Sequence, residues 1–123
     1  MWGDRAARDI AASLSQNMLH PSDDIPTWRP ATGAQPDPVL IAQDMRSVQQ
    51  VMWNYVGIVR ATTRLLRAQR ELRNLETEIE QFYRKMPLTD GLIGLRNAVR
   101  AAILVARAAW SNKRSVGAHY REE

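Results

Sequence analysis

The chain contains no cysteine, one phenylalanine and two histidines among its 123 residues. Without cysteine there are no disulfides and no thiolate metal sites, which fits a reducing compartment and makes the cytoplasm the expected location. His20 and His119 each lack a second His, a Cys or a suitably spaced carboxylate, so no metal centre is expected. No apolar run approaches the roughly 18 residues a membrane-spanning helix needs; the longest, Ala101 to Ala106, is closed by Arg100 and Arg107. Asp4 and Asp9 interrupt the N-terminus where a signal peptide would need an unbroken apolar core. Neither G-x-G-x-x-G nor G-x-x-x-x-G-K-[ST] occurs, which removes the usual dinucleotide and nucleotide-phosphate fingerprints.

What is present is ordinary for a folded protein: 45% hydrophobic and 24% charged residues, too apolar for intrinsic disorder. A chain of this size supports one modest core, so one domain plus an appendage is expected. The net charge of +4 is unevenly spread. Residues 1–59 hold four Arg against six Asp, about −2, whereas residues 60–123 hold thirteen Lys or Arg against seven acids, about +6. Nucleic acid, an acidic protein face and solvent all suit such a basic half.

The periodicity is helical throughout. Asp4 is placed to cap a first helix over Asp4 to Met18, with Ala7, Ile10, Leu14 and Met18 on one thin stripe. Residues 19–37, with Pro21, Pro26, Pro30 and Pro36, show no period and read as an extended connector that ends at Pro38. Asp37-Pro38 then supplies an N-cap and a proline at the first helical position. Ile41, Met45, Val48, Met52 and Tyr55 follow at steps of four and three, and Gly57 breaks the run. Leu65, Ala68, Leu72, Leu75, Ile79, Phe82 and Met86 repeat that alternation before Pro87. Thr89 caps a last helix carrying Leu92, Leu95, Val99, Ala102, Ala106 and Ala109. Three amphipathic helices joined by short turns at Val56 to Arg60 and at Pro87 to Thr89 predict an all-α fold. The expected architecture is an antiparallel, spectrin-repeat-like three-helix bundle over residues 38–112, followed by a polar tail over 113–123. The short apolar stretch Val56 to Val59 is read as a link rather than a strand.

Arg60, Arg64, Arg67, Arg70 and Arg73 form a slowly rotating basic stripe. It lacks interleaved aromatics and has Glu71, Glu76, Glu78 and Glu80 close by, so a solvated or internally paired face is favoured over protein docking, and nucleic acid least. Tyr55 lies on the helical seam, which favours core packing over an aromatic ligand box with Trp53. Ser115 and His119 have no orienting acid and no oxyanion hole in view, so they are not read as a nucleophile and base. Gly91-Leu92-Ile93-Gly94 opens a helix but is not a phosphate motif.

Met52-Trp53-Asn54-Tyr55-Val56-Gly57-Ile58-Val59-Arg60 closely resembles the M-W-x-Y-V-G-I-V-R signature of the C-terminal helical domain of the L-aspartate oxidases, within the succinate dehydrogenase and fumarate reductase flavoprotein family. Residues 1–18, with Arg5-Ala6-Ala7 and Asp9-Ile10, resemble the helix that closes the family's FAD-binding domain, and Pro26-Thr27-Trp28 its connector. Leu95-Arg96-Asn97 resembles the L-R-N of its last helix, and Ser115 to Tyr120 its S-R-G-x-H-Y tail. The departures are Val116 for the tail arginine, Arg114 for the acid before the serine, and Ile103 for a glutamate of the last helix. The resemblance implies a parent enzyme that passes a hydride from L-aspartate to FAD, giving iminoaspartate for NAD biosynthesis. It implies no catalytic, cofactor-binding or metal-binding residue in this chain, because the family's flavin glycines and substrate-binding Arg and His residues lie upstream of the matched stretch. The implied partners are the FAD-binding and capping domains, with Arg60, Arg64, His119, Tyr120 and Arg121 as candidate docking residues and no role for nucleic acid or membrane. Self-association through the first helix is a further expectation. The alternative is a stand-alone helical module that binds an acidic partner through its basic face.

Overall fold

The computed structural model describes residues 2–13, 25–27, 29 and 31–122. It is mostly helical: α1 (Trp2–Ser13), α2 (Pro38–Tyr55), α3 (Thr62–Lys85) and α4 (Asp90–Ser111), with two short strands, β1 (Val59–Ala61) and β2 (Tyr120–Glu122). The two short strands fall outside the all-α expectation, and of the expected link at Val56 to Val59 only Val59 belongs to a strand. They pair in parallel with Val59 opposite Tyr120, Arg60 opposite Arg121 and Ala61 opposite Glu122.

α1 starts before Asp4, so Asp4 does not cap it. Its carboxylate sits in the first turn, where it suits the helix dipole, and accepts from Arg8 Nε at 3.2 Å. Residues 3–11 of the helix, Ile10 included, are exposed. Leu14 and Met18 of its expected stripe, and His20 in the connector, lie outside the described residues.

The caps of α2 and α4 follow the sequence. Asp37 accepts from the Val39 amide at 2.8 Å with Pro38 next to it, and Thr89 Oγ1 accepts from the Leu92 amide at 3.2 Å. Replacing either residue by alanine is expected to cost about 1 kcal/mol, read as a lower urea midpoint with an unchanged slope. α2 ends at Tyr55, with the Val56 amide bonded to the Met52 carbonyl. A Cβ on Gly57 would lie 3.3 Å from the Trp53 carbonyl, so glycine lets the chain fold back tightly against the helix end.

Each of α2, α3 and α4 packs on the other two. The core joins Val48 and Val51 of α2 to Leu65, Ala68, Leu72 and Ile79 of α3 and Leu95, Val99, Ala102, Ile103, Ala106 and Ala109 of α4. Ile41, Met45, Met52, Tyr55 and Leu75 pack partly buried against it. The expected seams are therefore the buried stripes, with Val51 and Ile103 widening them. Ile103 is 8% exposed. Trp53 lies off the seam and is 85% exposed.

A partly buried ion cluster fastens α3 to α4. Glu80 accepts from Arg96 Nε at 2.6 Å, Arg96 Nη2 at 3.3 Å and Arg100 Nη2 at 2.8 Å. The Arg96 guanidinium also stands 3.9 Å from the centre of the Tyr83 ring. The hydrogen bond from Arg96, helped by the charges of Arg96, Arg100 and Arg84 and opposed by partial burial, holds the Glu80 carboxyl below its ordinary value. A lowered acid contributes stability that is complete above the unfolded-state value and fades as pH falls through the folded one. Asp44 on α2 has the opposite sign: burial first, then the charge of Glu78, raises its carboxyl, so it loses stability as pH rises through the ordinary carboxylate range. Glu80→Gln is accordingly expected to flatten the acid limb of a stability-versus-pH curve. Asp44→Asn is expected to raise stability at neutral pH and little below the carboxylate range.

Candidate docking site

The end of the molecule where α2 stops, α3 starts and the chain terminates carries all five sequence-selected residues. Alternation along the two strands sends Arg60 and Arg121 to the face that meets the helices, and Val59 and Tyr120 to the opposite face. Arg121 is buried, at 6% exposed. Its guanidinium donates to the Ala109 carbonyl near the end of α4 (3.3 Å) and to Thr62 Oγ1 at the start of α3. The same side chain thus ties both long helices to β2. Its Nε hydrogen has no partner among the described residues.

Arg60 braces the turn it follows. Its Nε donates to the Gly57 carbonyl at 2.7 Å and the Val56 carbonyl at 3.3 Å, while Nη1 lies 2.6 Å from His119 Nδ1. His119 Nε2 is 3.0 Å from the Asn112 carbonyl. A guanidinium only donates and a carbonyl only accepts, so the ring carries its hydrogen on Nε2 and accepts at Nδ1. Arg64 Nη2 donates to Glu122 at 3.0 Å. Tyr120 gives its amide to the Ile58 carbonyl at 3.1 Å and leaves its ring half exposed.

The tail is hydrogen-bonded throughout this turn. Val116 and His119 exchange backbone bonds of 2.9 and 3.0 Å around Gly117, whose φ of +57° favours glycine. Ser115 Oγ accepts from the Arg121 amide at 3.0 Å, so Ser115 serves the turn rather than pairing with His119. No group of three or more His, Cys, Asp or Glu able to hold a metal occurs among the described residues. No described helix is long and apolar enough to cross a membrane.

Sequence reasoning gathered these residues but missed how they are used. A charged side chain such as Arg121 reads as solvated from composition alone, and three-residue strands are too short to display a period. The signal that marked them was the tail motif itself.

A family model described as "Fumarate reductase flavoprotein C-term" matches residues 45–123, which include α2 from Met45, both strands and the whole tail turn. The chain belongs to this family. It is 38% identical over 122 residues to the L-aspartate oxidase of Acinetobacter baylyi, covering 98% of this chain and 22% of that protein. The L-aspartate oxidase of Yersinia pestis is 36% identical over 121 residues, with 98% and 22% covered, and that of Pseudomonas aeruginosa 37% over 117 residues, with 93% and 22%. The chain spans about a fifth of the length of these curated relatives.

Membership in a flavoprotein family raises the question of whether these residues fit a flavin, and two features of the described residues argue against it. The strand-to-helix step from β1 into α3 runs Ala61-Thr62-Thr63-Arg64 without glycine, so it makes no backbone cradle for a pyrophosphate. A groove of about 620 Å³ beside Pro38, Ile41, Met45 and Gly94 is lined by no cationic side chain.

Proposed function

We propose that this chain is the C-terminal structural and docking domain of an FAD-dependent L-aspartate oxidase, an enzyme that oxidises L-aspartate to iminoaspartate in NAD biosynthesis. The observation that carries the reading is the coincidence of two facts. The family match includes the tail turn, and side-chain hydrogen bonds of Arg60, His119 and Arg121 hold that turn against the helices. α2, α3 and α4 serve as an antiparallel three-helix bundle of spectrin-repeat type, a rigid support for that end. Arg60, Arg64, His119, Tyr120 and Arg121 set the surface offered to the FAD-binding and capping domains, with Arg121 acting from beneath by fixing β2. FAD and the substrate-binding groups belong to those domains, and a cysteine-free chain suits their cytoplasmic setting.

The test is direct. The purified chain is expected to show no flavin absorbance after incubation with FAD and no L-aspartate-dependent peroxide. Stoichiometric flavin, or peroxide above buffer, would refute the division of labour.

A second reading is favoured by one observation. Arg70 and Arg73 on the exposed face of α3 have no ion pair among the described residues, although Arg64 and Arg67 do. A stand-alone helical module that binds an acidic partner would use them. Full binding of such a partner by an Arg70→Ala/Arg73→Ala variant would eliminate this reading.

A further inference from the structure

Where α2 begins, α3 ends and α4 begins, away from the tail turn, the helices enclose a cavity of about 140 Å³. Its apolar walls are Leu40 and Ile41 of α2, Phe82 of α3, Leu92 and Leu95 of α4, and Met86 just past α3. Leu92 and Leu95 are fully buried, so the floor belongs to the core. Cavities of this size and lining take up small apolar molecules.

Two carboxylates interrupt that lining. Asp37 and Asp44 both face the cavity, and among the described residues no Lys or Arg does. Asp44 has no hydrogen bond and no cation beside it among the described residues, and burial together with the charge of Glu78 on α3 raises its carboxyl. A cation seated there offsets both penalties. Asp37 Oδ1 accepts from the Val39 amide, and Oδ2 has no hydrogen bond among the described residues. The N-termini of α2 and α4 open at this end, each with roughly half a positive charge. The full charges of Asp37 and Asp90 in those turns exceed them, so the cavity disfavours an anion.

Spacing decides the shape of the cation. Asp37 is the N-cap of α2 and Asp44 lies two helical turns further on, which puts both on one face at about 10 Å from each other along the axis. One ammonium cannot reach both, and a lysine side chain from another domain would leave one carboxylate unanswered. We propose that this cavity is a binding site for a small linear diamine, a short methylene chain with an ammonium group at each end. One ammonium donates to Asp44 and the other to Asp37, while the methylenes lie on Phe82, Leu92 and Leu95. The site is separate from the tail turn and does not rest on the proposed function.

The test titrates the whole chain with 1,4-diaminobutane by calorimetry at physiological salt, beside n-butylamine, which has the same carbon chain and one ammonium. Asp44→Asn and Asp37→Asn each remove one charge. Both should fold, because asparagine caps a helix as well as aspartate does and Asp44→Asn relieves a raised carboxyl. Asp9→Asn on the exposed α1 removes the same charge elsewhere. The expected result is saturable binding of the diamine, with a Kd roughly tenfold higher for n-butylamine and for Asp44→Asn, as loss of one charged hydrogen bond implies. Asp37→Asn should raise Kd less, since that carboxylate is shared with the cap, and Asp9→Asn should leave it unchanged. If a variant does not fold, methyl resonances of the natural chain decide: the diamine must shift those of Ile41, Leu92 and Leu95. No saturable binding, equal Kd for the two amines, equal Kd for folded Asp44→Asn, the same rise with Asp9→Asn, or unmoved methyl resonances would each overturn the proposal. No oxidase enters this experiment, so its failure is distinct from failure of the proposed function.

Discussion

Leu72→Ala is expected to lower the unfolding free energy by about 2–5 kcal/mol. Leu72 has no exposed surface and sits mid-way along α3, in the core cluster shared with α2 and α4. Deleting its isopropyl group forfeits the transfer energy and leaves a cavity that three helices cannot easily close. Leu66→Ala on the same helix is the control: Leu66 is half exposed, and surface substitutions usually stay within about 0.5 kcal/mol. Urea curves should separate the two by midpoint at similar slope. Equal midpoints would mean that the Leu72 stripe is not the core.

Arg121→Ala is expected to cost about 1.5–3 kcal/mol, the usual worth of hydrogen bonds from a charged group. The side chain donates to the Ala109 carbonyl and Thr62 Oγ1 from a buried position, so its loss frees β2 from both long helices. Its buried Nε hydrogen has no partner among the described residues, and removing that defect offsets part of the cost, which places the expected value toward the low end. Arg121→Lys should recover little, because an ammonium cannot reproduce a fork spanning two acceptors. Loss of the amide protection of Tyr120, with the helical signal intact, would locate the damage at the strands. An unchanged melt would mean that the tail is not integral to the fold.

The helical half of the structure was legible because each seam repeats over five or more positions and each start carries a chemical cap. Asp37-Pro38 and Thr89 both act as their types require. Asp4 misled because a lone acidic residue fits an N-cap and a first-turn position equally well, and nothing in the sequence separates the two. Val51 escaped the strict four-and-three pattern because a helix gripped by two neighbours buries a wider stripe than a coiled-coil seam. The strands were illegible for a different reason. Their pairing joins residues 61 apart, Val59 with Tyr120 for one, that neither periodicity nor propensity can connect, and their strongest tie, Arg121, is a charged side chain that composition assigns to solvent. Motif resemblance singled out residues there, and only the structure shows that Arg60, His119 and Arg121 make internal bonds.

The most direct measurement of the central claim is a replacement. In the L-aspartate oxidase of Acinetobacter baylyi, the stretch aligned with this chain is exchanged for it, and the purified chimera is assayed for bound FAD and for L-aspartate-dependent peroxide. The expected result is a chimera that holds FAD and oxidises L-aspartate, beside a control lacking that stretch that does neither. A well-folded chimera that holds FAD but leaves L-aspartate untouched, or that cannot retain FAD, would contradict the assignment of this chain as the docking domain of such an enzyme.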